Sequence, residues 1–137
     1  MLLANHLGVL HSTLCTLADT FREVAGRHGD EPDVRHICEM LASRIDGQAE
    51  KLKPVVERYG ESDEGEPSLL RDLQDLYALA SFTDITWIVV GQAAQGLRDK
   101  ELLDVVSACE QDTARQLAWL KTRIKQSAPQ ALIAARG

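Results

Sequence analysis

At 137 residues the chain is long enough for one domain with a core of its own and too short for several. Hydrophobic residues make up 45% of it and aromatic residues 4%, which excludes a ring-rich core and points to Leu, Ile, Val and Ala packed helix on helix. A net charge of −6, from 21 acids against 15 bases, repels phosphate backbones and argues against nucleic acid as a partner.

A first helix is expected over 2–27, with Leu3, Leu7, Leu10, Leu14, Leu17, Phe21 and Val24 stepping by fours and threes along one stripe. Gly29 is placed to take a left-handed cap. Asp30 and Pro32 open a second helix over 31–59, whose stripe is Val34, Cys38, Leu41, Ile45, Gln48, Leu52, Val55 and Tyr59. Pro54 lies inside that stripe and predicts a kink, since it removes a backbone donor and presses on the Glu50 carbonyl. Gly60 ends the helix.

Glu61 to Glu66 holds four acids in six residues and reads first as a solvated loop. It lacks the Asp-x-Asp spacing and closing Glu of a calcium loop. Pro67 begins a third helix over 67–95, with Leu69, Leu73, Leu76, Ala80, Thr83, Trp87, Val90 and Ala94 inward and Gly96 as its stop. Asp99 caps a fourth over 99–127, carrying Leu103, Val106, Thr113, Leu117, Leu120 and Ile124 inward. Lys121, Arg123 and Lys125 read as favouring its C-terminus. Pro129 closes it before a small-residue tail, 129–137.

Helices of ~25 residues are ~38 Å long, more than the short connectors can span. Consecutive helices must therefore run antiparallel, and residues 1–128 form an all-α, up-down-up-down four-helix bundle.

Cys15, Cys38 and Cys109 are far apart and form no C-x-x-C pair, so they read as reduced thiols of a cytoplasmic protein. No run approaches the ~18 apolar residues of a membrane span. The opening Met-Leu-Leu-Ala-Asn lacks the basic start of a secretory signal. Nucleophile elbows, phosphate loops and activated cysteines are absent from the sequence, so no catalytic residue and no cofactor is assigned.

Polar residues interrupt the stripes. Antiparallel pairing sets His11 opposite Gln48, and Asp84 near Arg44 and Thr113. Buried polar groups need partners, and two readings satisfy them: hydrogen bonds with an Asp84–Arg44 ion pair, or a metal or small-ligand site. Di-metal bundles use a Glu-x-x-His step, which this chain lacks; His36-Ile37-Cys38-Glu39 has the order reversed. Ile85-Thr86-Trp87-Ile88-Val89-Val90 is apolar at five of six positions, so that turn must be covered on several sides, by the bundle or by another chain.

Gly47-Gln48-Ala49-Glu50-Lys51-Leu52, continuing to Val55, Val56, Arg58, Tyr59 and Gly60, resembles the second helix of ferritin-like, stress-associated bundles. Ala18, Arg22, Val24 and Ala25 are similar to their first helix, and Cys109 to Leu120, with Trp119, to their last and to that of miniferritins. The resemblance implies a ferritin-like fold. Its metal-ligand positions correspond to Ile45 and Gln48 in helix two, His11 in helix one, Asp84 in helix three, and Glu110 and Thr113 in helix four. Too few of these are metal ligands for ferroxidase chemistry, which implies a bundle without its di-metal centre.

The expectation is a cytoplasmic, non-catalytic bundle acting through protein association, as a homodimer through helix three around Trp87, Ile88, Val89 and Val90. Two alternatives stand beside it. One is residual metal or small-ligand binding by His11, Asp84 and Glu110; the other is an adaptor whose acidic loop meets a basic protein partner.

Overall fold

The computed structural model describes residues 2–60 and 69–134. They form α1 (Leu2–Arg27), α2 (Pro32–Tyr59), α3 (Leu69–Leu97) and α4 (Lys100–Pro129), and a π-helical turn, Gln130–Ala134, carries α4 onward. No strand occurs among the described residues. α1 packs on α2 and α3 on α4, and the chain divides into two compact units, Met1–Glu64 and Gly65–Gly137. This is the all-α, four-helix class the sequence predicts. Each unit is an antiparallel hairpin, because connectors of four and two residues cannot return the chain along a helix of ~40 Å. The acidic loop, Glu61 to Glu66, and the expected start at Pro67 lie outside the described residues.

The helix ends follow local chemistry, with three corrections, of which the first is that Pro129 does not close α4: the proline lies within it and the π-helical turn follows directly. Pro32 occupies the first turn of α2, where its missing donor costs nothing, and the helix continues through Pro54 to stop at Gly60, φ 81°. Gly29 is not left-handed. The α1–α2 corner is held instead by the His28 amide donating to the Val24 carbonyl at 3.1 Å and the Glu31 amide to His28 at 3.0 Å. Gly96 does not end α3 either; the helix runs one residue further and Arg98 takes the left-handed position, φ 55°. The reason is a reciprocal C-terminal lock. The Asp99 amide donates to the Ala94 carbonyl at 3.0 Å, and the Arg98 amide to Gln95 at 3.1 Å. Asp99 then starts α4 as expected, its carboxylate accepting from the Leu102 amide at 3.1 Å.

The seams show the predicted period but a shifted phase. In α1 the buried residues are Ala4, Ala18 and Ala25, while Leu10 and Leu17 are exposed. In α2 they are Ala42, Ile45 and Ala49, while Gln48 and Tyr59 face water. The expected positions Leu7, Leu14, Phe21, Cys38, Ile45 and Leu52 keep their place, and the alternate positions move by one residue. Alanine explains the move: it lets two backbones approach closely, so the contact centres on Ala18, Ala42 and Ile45, with Leu14 and Phe21 against them. Gln48, beside Ala49, is then left in solvent, where its amide needs no protein partner. Arg22 bridges the hairpin outside this seam to Asp46, and the charge-assisted hydrogen bond holds the Asp46 carboxyl below the usual carboxylate range.

The second hairpin repeats the shift. Leu70, Leu73, Gly91 and Ala94 are buried, and Leu69 and Leu76 are exposed. On α4 the inward residues are Val106, Thr113, Leu120 and Ser127, one every seven, the spacing that keeps one line of a helix against its partner. A Cβ added to Gly91 would sit 3.3 Å from Val106 Cγ1, so this glycine serves close helix approach.

Two substitutions test these assignments by urea unfolding. Ala18→Leu forces a large side chain into the α1–α2 contact and should cost about 1–3 kcal/mol, whereas Leu17→Ala should change stability by less than about 1 kcal/mol. Arg98→Gly relieves a left-handed L-residue and should raise stability by about 1 kcal/mol. A destabilised Arg98→Gly protein would show that the corner is held by the arginine side chain.

Candidate association surface

The second hairpin carries the surface that the seam shift leaves open. From Leu76 to Leu97, α3 holds a single charged residue, Asp84. Within the second hairpin α4 covers one side of α3, and a helix apolar all round needs cover on several. Phe82 is 70% exposed, Leu79 66%, Val89 63% and Trp119 60%. Despite that apolar run, no helix among the described residues is long and apolar enough to cross a membrane.

Two grooves flank the α3–α4 contact. One, about 360 Å³, is walled by Leu76, Leu79, Ala80 and Thr83 on α3 and by Gln116, Trp119 and Leu120 on α4. A smaller hollow of about 170 Å³, formed by Phe82, Thr83, Thr86, Trp87 and Val90, continues along α3. The threonines look polar in the sequence but do not act so here. The Thr83 hydroxyl donates to the Leu79 carbonyl at 2.9 Å and that of Thr86 to Phe82 at 2.7 Å, so both donors are used within the helix. The other groove, about 600 Å³, is lined by Gln74, Tyr77, Ala78, Lys121, Ile124 and Lys125. Ile85 and Ile88, both exposed, extend this side in heptad phase with Ala78 and Ser81.

Of the residues expected at an interface, Ile88 and Val89 are exposed and Trp87 and Val90 half-buried. Trp87 and Val90 share the small hollow, whereas Ile88 belongs to the lysine-lined side. Sequence reasoning missed Leu79, Phe82 and Trp119. None of the three lies on the heptad line Leu69, Leu76, Thr83 and Val90, so the spacing that defines the stripe carried no signal for them.

The expected polar layers are redistributed. His11 is half-buried on α1 and falls in the heptad line of Ala4, Ala18 and Ala25. Gln48 and Arg44 are exposed on α2. On the second hairpin, Gly91 faces Val106, so one heptad away Asp84 comes about level with Thr113. Thr113 is buried and donates to the Cys109 carbonyl of its own helix at 3.0 Å. Asp84 and Glu110 are half-buried; no group of three or more His, Cys, Asp or Glu side chains close enough to hold a metal occurs among the described residues. Cys15, Cys38 and Cys109 are free thiols.

Comparison with known proteins gave no matching family model, no matching curated protein and no matching solved structure.

Asp84 places a carboxylate in an otherwise apolar seam, which costs stability unless it is paired. Asp84→Leu should therefore raise the stability of the chain by about 1 kcal/mol in urea unfolding. A loss of that size instead would mean that the carboxylate makes a favourable interaction that leucine cannot replace.

Proposed function

We propose that this chain is a non-catalytic helical module that works by protein association, and that its partner is a second copy bound through α3. The observation that carries the reading is the uncovered apolar surface of α3. Leu76, Leu79, Phe82, Ile85, Ile88 and Val89 are all exposed. A monomeric surface usually scatters such residues singly; a run of them along one helix marks an interaction site.

The ferritin-like likeness enters this reading as a matter of fold without metal chemistry. Of the positions that correspond to ligands, Ile45 is a buried apolar residue, Gln48 faces solvent, and the Thr113 hydroxyl is used by its own helix. Side chains that pack or cap a backbone are not held for a metal. We place the protein in the cytoplasm, where a reducing environment maintains three free thiols.

Sedimentation velocity over a wide concentration range tests the reading. The chain should form a dimer at micromolar concentration, and Ile88→Asp should weaken it by about 2 kcal/mol or more, since it buries an unpaired charge. Trp87→Ala, which takes away one wall of the small hollow, should cost about 1–2 kcal/mol of association. A single monomeric species at every concentration refutes the proposal.

A further inference from the structure

Resting on that reading, we infer that two copies meet antiparallel about a two-fold axis, with the acidic first half of α4 in one copy set against the basic second half in the other. The charges of α4 are sorted along its length. Residues 100–112 hold Glu101, Asp104, Glu110 and Asp112 with one base, Lys100. Residues 113–129 hold Arg115, Lys121, Arg123 and Lys125 and no acid.

The helix dipole accounts for Glu101, in the first turn, but not for the rest of this sorting. Its influence is confined to the terminal turns, and the last turn of α4 contains no basic residue. Pairing within the chain does not account for it either. Arg115 bonds Asp112 at 3.3 Å and Arg123 bonds Ser127 at 2.5 Å, but Glu101, Asp104, Lys121 and Lys125 are exposed and enter no ion pair among the described residues.

Those four side chains share a centre with the apolar surface. Lys121 and Lys125 border the groove containing Tyr77 and Ile124, and Asp104 stands three heptads before Lys125, on the same face. The midpoint between Asp104 and Lys121 falls at Thr113, about level with Asp84 and Ile85 on α3. A two-fold axis through Ile85 therefore sets Lys121 at the level of Asp104 and Lys125 at the level of Glu101 of the second copy, and lays Ile85 against its counterpart. Both copies use the same patch, as a closed dimer requires. A parallel arrangement would put acid on acid and base on base, an orientation that like-charge repulsion disfavours.

Charge exchange tests the orientation by sedimentation equilibrium. Lys121→Glu with Lys125→Glu makes α4 acidic at both ends, and Glu101→Lys with Asp104→Lys makes it basic at both. Far-UV circular dichroism should match the wild type for both, since the four residues are exposed and unpaired. Each double variant alone should associate at least about tenfold more weakly than the wild type, and an equimolar mixture should recover heterodimers of near wild-type affinity. Wild-type dimers whose affinity is unchanged in either double variant would overturn the antiparallel orientation and leave self-association standing. A monomeric wild type would overturn both.

Discussion

Two helices joined by a short turn can bury only one line of each against the other, and the rest of this molecule follows from that limit. Every helix here is long, and three of them carry two apolar lines side by side. In α1 one line runs through Ala4, Ala18 and Ala25 and the other through Leu3, Leu10, Leu17 and Val24. The hairpin chooses the first because alanine permits the closer backbone approach, and dispersion rewards close packing over side-chain size. Leu10 and Leu17 are left outside. The same choice at Gly91 and Ala94 leaves Leu69 and Leu76 outside the second hairpin. An exposed apolar line is thus a consequence of how each hairpin closes.

The period of the helices was legible in the sequence, and the phase was not. Leu14, Phe21, Ile45 and Leu73 anchor the seams at positions that a leucine-weighted reading finds directly. Alternate positions move by one residue because such a reading ranks Leu10 above His11 and Leu17 above Ala18, whereas helix contact ranks them by how near the backbones can come. Gln48 is the clearest casualty, a seam residue by spacing and a solvent residue in the fold. On α4 Val106, Thr113 and Leu120 were read correctly as inward because they share one heptad line, to which exposed Trp119 beside Leu120 does not belong. Corner chemistry was legible where a side chain does the work, as at Asp99, and illegible where backbone bonds do it, as at Arg98. The polar residues chosen as candidate ligands suffered most, since their grouping depended on the phase that moved.

Charge and apolar surface are arranged differently along the second hairpin. α3 concentrates apolar side chains and keeps one acid between Leu76 and Leu97; α4 concentrates charge and sorts it by sign. Apolar burial is strong but carries no orientation, since leucine packs on leucine in either sense. Ion pairs across a rim are individually weak in water, yet they distinguish one orientation from its reverse. In the proposed dimer, a surface built from both would draw affinity from one helix and direction from the other. Neither helix alone would specify a single dimer.

The same division bears on how so much exposed apolar surface avoids indiscriminate contact. An open apolar face of this size invites indiscriminate contact, and the net charge of −6 opposes it at long range by keeping copies apart. That repulsion must be overcome locally for any specific pair to form. In the proposed dimer the sorted charges of α4 would do so, because an antiparallel alignment brings each acidic half to a basic one. Overall repulsion and local attraction are therefore parts of one selection: they disfavour chance encounters and lower the barrier to a single geometry, in which the charge-poor faces of α3 leave water together.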